Sequence, residues 1–102
     1  MIPTTTKKRF EILVEEGLLP RIAKTIREAG FSGHTVMPVL SGAGRDGRWR
    51  DERLTSSSKV MIIAIGGDEE AAKLMEMLQP ILESYRLLLA ISDCQVIRQD
   101  RF

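Results

Sequence analysis

The chain is poor in the residues on which most small catalytic domains rely. Its 102 residues hold one Cys and one His. The lone Cys94 excludes an internal disulfide framework and a cysteine-based zinc cluster. The lone His34 excludes a multi-histidine metal site, and a Ser-His-Asp triad would rest wholly on it. Aromatic residues make up only 5% of the chain, which leaves no strand with exposed platforms for stacking RNA bases. An excess of one charge is also missing: 15 Lys and Arg stand against 14 Asp and Glu, for a net charge of +1. That balance removes the electrostatic case for binding nucleic acid or an anionic membrane. The longest apolar run, 60–65, is far short of the roughly 20 residues that span a bilayer. Residues 1–8 contain no apolar leader, so the expected setting is the cytoplasm. These absences favour a regulatory or binding domain over an enzyme, with no metal expected.

What is present is enough for one packed core. Hydrophobic residues make up 43% of the chain, and the length suits a single domain, 1–102. Such a small domain buries only about 60–65% of its unfolded surface, which makes oligomerisation a source of added stability. Residues 10–14 read as a first strand. Residues 18–29 read as a helix, with Leu19, Ile22, Ala23, Ile26 and Ala29 at helical spacing, Pro20 in the first turn and Gly30 at the stop. A second strand is expected over 34–41 and a third over 59–65. Asp68 is a candidate N-cap for a second helix, with Ala71, Leu74, Met75, Leu78 and Leu82 as its buried stripe and Pro80 kinking or shortening its last turn. Residues 87–91 and 94–97 complete a last strand, with Asp93 marking a bulge. The order β-α-β-β-α-β is the ferredoxin-like arrangement: an α+β fold with two helices on a four-stranded antiparallel sheet. The third and fourth strands are apolar at nearly every position, which implies burial of both sheet faces and hence subunit association.

Residues 42–58 break every pattern and form a loop of about 17 residues, longer than most connections in compact domains. The run Ser41-Gly-Ala-Gly-Arg-Asp-Gly47 contains Gly-x-Gly-x-x-Gly. No helix follows it, so it is not a dinucleotide fingerprint. Its glycines serve either as turn residues of a flexible hairpin or as a nest of N–H groups for an anion. Arg45, beside them, is placed for a bidentate anion contact. Arg48, Trp49 and Arg50 form a candidate partner-binding tip, Trp49 being either an exposed anchor or folded back on the domain. Lys59, Arg98 and Arg101 are either surface charge or contributions to a phosphate-binding cleft shared by neighbouring subunits.

The stretch Thr35-Val-Met-Pro-Val-Leu-Ser-Gly-Ala-Gly-Arg-Asp-Gly47 resembles the strand and T-loop root of PII signalling proteins. Ser58-Lys-Val-Met-Ile-Ile63 is similar to the family's Pro-Lys-Val-x-Ile, and Val96-Ile-Arg98 to its terminal Val-Ile-Arg. The resemblance implies a homotrimer of ferredoxin-like domains whose sheets face inward. It also implies adenine nucleotide bound between subunits and a long T-loop between strands 2 and 3 that engages transporters or enzymes. Ser41, Gly42, Gly44 and Arg45 would lie near the phosphates, and Lys59, Arg98 and Arg101 would supply basic contacts, Arg101 being displaced by one residue from the family spacing. Three departures matter: the loop has no Tyr, the chain is short, and Ser84-Tyr85-Arg86 replaces the glycine-rich B-loop. They point to the divergent PII-like branch associated with carboxysomes or bicarbonate transporters. The resemblance to that branch implies sensing of AMP, ADP or cyclic AMP and of bicarbonate, and without the B-loop AMP or ADP is expected rather than ATP; the residues themselves do not select bicarbonate over other anions. The alternatives are a trimeric module of the CutA type and a small acylphosphatase-like hydrolase. The hydrolase is opposed by Glu15-Glu16-Gly17, which would repel phosphate after the first strand.

Overall fold

The computed structural model describes residues 2–44, 47–50 and 58–97, with Trp49 and Arg50 described through their backbone alone. The elements are β1 (Thr5–Glu15), a 3-10 turn (Glu16–Leu18), α1 (Leu19–Glu28), β2 (Thr35–Pro38), β3 (Ser41–Gly44), β4 (Gly47–Arg50), β5 (Lys59–Gly66), α2 (Asp68–Ser84) and β6 (Leu88–Val96). The main sheet has the order β2-β5-β1-β6, and all three pairings are antiparallel. This is the expected βαββαβ arrangement, with β3 and β4 added as a separate two-stranded hairpin.

Alternation along the strands decides which side each residue serves, because successive side chains point to opposite faces. Phe10, Ile12 and Val14 of β1 and Val60, Ile62 and Ala64 of β5 are buried. They meet Ile22 and Ile26 of α1 and Leu74, Leu78 and Ile81 of α2 in one core. Phe31, just after α1, closes that core at one end and packs edge-on against Phe10, with ring centroids 5.7 Å apart at 89°. The register places Leu13 beside Met61 and Leu88 on the opposite, helix-free face, with Ile63, Ile65 and Met37 in the same layer. None of these six is fully buried within the chain.

Several expectations are corrected. β1 begins at Thr5, well before the apolar stretch at Phe10, because polar cross-strand pairs hold its first half. Gln95 Nε2 donates to Thr6 Oγ1 at 2.9 Å, Thr4 Oγ1 donates to Gln95 Oε1 at 2.8 Å, and Lys8 Nζ donates to Asp93 Oδ1. Asp93 marks no bulge, since the β1–β6 register runs unbroken from Thr5↔Val96 to Leu13↔Leu88. Gly67, not Asp68, is the N-cap of α2. Its N–H donates to Glu70 Oε1 at 3.3 Å, so the carboxylate reaches back where glycine has no side chain to cap forward. The buried stripe of α2 is Ala71, Leu74, Leu78 and Ile81. Met75 and Leu82 each sit one position past a stripe residue, about 100° round the helix, and stay 50% and 38% exposed. The helix is not shortened at Pro80 but continues to Ser84. β2 ends at Pro38, and part of the stretch read as a pattern-free loop pairs as β3 and β4.

Two outcomes follow. A Cβ at Gly66 would stand 2.6 Å from Phe31 Cε2, so Gly66→Ala should cost about 1–3 kcal/mol in urea unfolding through overpacking. Adding Phe31→Leu should return part of that loss. The Asp93 hydrogen bond and charge hold the Lys8 ammonium pKa above its usual 10.5. Because the folded value is the higher one, the stabilisation is full below the unfolded pKa and is lost as pH rises through the folded value. Asp93→Asn should therefore lower the melting temperature slightly at neutral pH. The difference from the parent should close above pH 10.5.

Candidate functional site

Candidate side chains gather at one end of the sheet, and a surface pocket opens at the other. At one end β1 finishes and β5 starts, with Glu15 opposite Lys59. The Glu16 N–H donates to the Ser58 carbonyl at 2.9 Å, and the Val39 N–H donates to the Lys59 carbonyl at 3.2 Å. These bonds clamp both roots of the 42–58 segment to one corner and bring Ser41 and Gly42 to the Lys59 side of the sheet. Ser58 is 3% exposed, and its hydroxyl has no hydrogen-bond partner among the described residues.

From that corner β3 and β4 rise as a hairpin with the register Ser41↔Arg50, Gly42↔Trp49, Ala43↔Arg48 and Gly44↔Gly47. Gly47 has φ +105°, a conformation that a side chain at this position would strain. The glycines are thus split: Gly42 lies near the base, while Gly44 and Gly47 form the last pair. Of the sequence-predicted site, Ser41, Gly44 and Arg48 are exposed and Gly42 and Lys59 half-buried. Arg45, Arg98 and Arg101 lie outside the described residues, as do the side chains of Trp49 and Arg50.

The same end of the sheet carries the link from α2 to β6, which is only residues 85–87 long. The Arg21 guanidinium stacks over the Tyr85 ring, 5.6 Å from its centroid, and fixes this short link against α1 by a cation–π contact.

At the other end, Val96 pairs with Thr5, so the chain leaves the sheet ten positions along β1 from Glu15. At about 3.3 Å per strand residue that is roughly 33 Å from Lys59. A surface pocket of about 150 Å³ opens at this end, lined by Lys7, Gly30, Phe31, Ser32, Ile65, Gly66 and Glu70. It offers one ammonium, one carboxylate and strand-end backbone. Sequence reasoning missed it, because Gly30 and Gly66 read only as stops. Their common signal is packing: a Cβ at Gly30 would meet Glu70 Cγ at 3.3 Å, and one at Gly66 would meet the Phe31 ring. Among the described residues no three or more His, Cys, Asp and Glu side chains gather as a metal site, and no helix is long and apolar enough to cross a membrane.

Comparison with known proteins gives this geometry a context. No curated protein sequence matches the chain significantly. The structure matches that of CPII, a nitrogen regulatory PII-like protein from Thiomonas intermedia K12 bound to ADP, AMP and bicarbonate. The TM-score is 0.89 at 28% identity, covering 100% of this chain and 98% of that one. A protein from Thermus thermophilus described as PII-like and signalling matches at TM-score 0.82 and 18% identity, covering 99% of both chains. CutA from Synechococcus elongatus matches at 0.68 and 13% identity, covering 98% of this chain and 94% of that one. At these lower identities the likeness is one of fold alone. A family model for nitrogen regulatory protein P-II matches residues 7–101, from the pocket lysine on β1 through the basic tail. The chain belongs to the nitrogen regulatory protein P-II family.

Proposed function

We propose that this protein is a PII-like sensor that binds an adenine nucleotide and bicarbonate in clefts between the subunits of a homotrimer. AMP or ADP is preferred to ATP. The 42–58 segment carries the bound state to a partner protein, a bicarbonate transporter or carboxysome-related protein, and the protein catalyses no reaction of its own. The observation that carries this reading is the full-length match to CPII, whose structure holds ADP, AMP and bicarbonate.

The geometry supports it in two ways. Ser41, Gly42 and Lys59 stand at one end of the sheet, while the tail that leads to Arg98 and Arg101 leaves from the other. A ligand held both at the start of β5 and beyond the end of β6 would therefore draw on two chains meeting end to end. The open sheet face of Leu13, Met61, Ile63 and Leu88 supplies an apolar surface for such an assembly. Gly42 and Gly44 pair with Trp49 and Gly47 in the hairpin ladder, so the group of this run suited to a planar anion is the Arg45 guanidinium. The three-residue link after α2 contains no glycine, so no backbone cradle is available there for a third phosphate.

Isothermal calorimetry should give saturable binding of AMP and ADP, ATP at least tenfold weaker, and tighter nucleotide binding with bicarbonate present. Absence of saturable binding by all of them overturns the reading. Arg45→Ala should weaken anion binding by roughly ten- to a hundredfold, the value of a lost charge-assisted hydrogen bond, without moving the melting temperature.

A further inference from the structure

The surface pocket at the β6-exit end of the sheet holds two opposite charges that do not meet. Lys7 Nζ and Glu70 Oε1 stand 3.8 and 2.9 Å from the point that a Cβ on Gly67 would occupy. Both residues are half-buried, yet they form no ion pair with each other. Glu70 is held back by the start of α2, where its Oε1 accepts the Gly67 N–H at 3.3 Å. Its other oxygen has no partner among the described residues. Lys8, next along β1, is taken by Asp93, whereas Lys7 has no ion pair among the described residues.

The room between the charges comes from glycine. A side chain at Gly67 would fill the gap, and one at Gly66 would collide with the Phe31 ring that lines the pocket. At about 150 Å³ the pocket takes a molecule of about six heavy atoms. A lone anion drawn to Lys7 would be repelled by Glu70, and a lone cation would meet the reverse. A molecule carrying both signs a few bonds apart satisfies both charges at once. We propose that the pocket binds a small zwitterion, an α-amino acid of the size of glycine or alanine. Its carboxylate takes the Lys7 ammonium, and its ammonium donates to the second oxygen of Glu70. The pocket lies at the opposite end of β5 from Lys59, and the inference does not rest on the nucleotide reading.

Titration of isotope-labelled protein with glycine, followed by amide NMR shifts, tests this. Saturable shifts should centre on residues 30–32 and 66–67, with a Kd on the order of 1 mM for so small a ligand. Acetate and methylammonium, which carry one charge each, should bind at least tenfold more weakly. Lys7→Met and Glu70→Gln should each weaken glycine binding about ten- to a hundredfold, the value of a lost charge-assisted contact. Glu70→Gln keeps an oxygen for the Gly67 N–H, so the cap of α2 survives and the melting temperature should stay close to the parent's. Gly67→Ala should block glycine by filling the gap, since φ −77° is a conformation that alanine adopts. Four results overturn the inference: no saturable shift with glycine, acetate binding as tightly as glycine, a folded Lys7→Met or Glu70→Gln chain of undiminished affinity, or displacement of bound glycine by AMP. The last would assign the pocket to the nucleotide cleft. A parent that binds glycine but neither AMP nor ADP removes the nucleotide reading alone, so the two fail separately.

Discussion

The central strand β1 is the constraint on which the other features depend. It is hydrogen-bonded along nearly its whole length to β5 on one side and β6 on the other, both antiparallel. Because side chains alternate, that double register sends Phe10, Ile12 and Val14 toward the helices and Arg9, Glu11 and Leu13 to the open face. A slip of one residue against either neighbour would exchange the two sets and put a charged pair into the core. The same register places the start of β5 and the end of β6 at opposite ends of the molecule.

A single fold-level fact therefore links stability, assembly and ligand binding. The helices bury one face and leave the other apolar but open. In the proposed homotrimer, covering the open face would bring the hairpin corner of one copy toward the β6 end of the next. A ligand bridging those two groups would bind only the assembled form, and its affinity would be linked to subunit association by mass action.

The fold was legible because its signals are local and periodic. The 3.6-residue spacing of Leu19, Ile22 and Ile26 and the β-branched run in β5 set the elements, and their order left the ferredoxin-like arrangement. The first half of β1 was not legible, since Thr6, Lys8 and their partners Gln95 and Asp93 are far apart in sequence and carry no hydrophobic signal. The stripe of α2 was misread at Met75 and Leu82, because any apolar residue near the right angle looks equally buried when only the sequence is seen. At the site, Ser41, Gly42 and Lys59 stood out through the run of glycines and the resemblance built on it. The pocket beside Lys7 and Glu70 did not, because it exists only where three distant segments meet and its glycines matter for the room they leave Phe31 and Glu70.

The most direct measurement of the central claim is subunit complementation. Lys59→Ala and Arg98→Ala chains are each expected to lose nucleotide binding when assembled alone. Dissociated together and reassembled at equal amounts, they should regain about a quarter of the parent's sites, the fraction of head-to-tail contacts in which one chain supplies Lys59 and its neighbour Arg98. Recovery near that fraction is the result predicted by a cleft built from two copies. No recovery from a mixed assembly that is otherwise intact would contradict it, and would place both residues in a site made by a single chain.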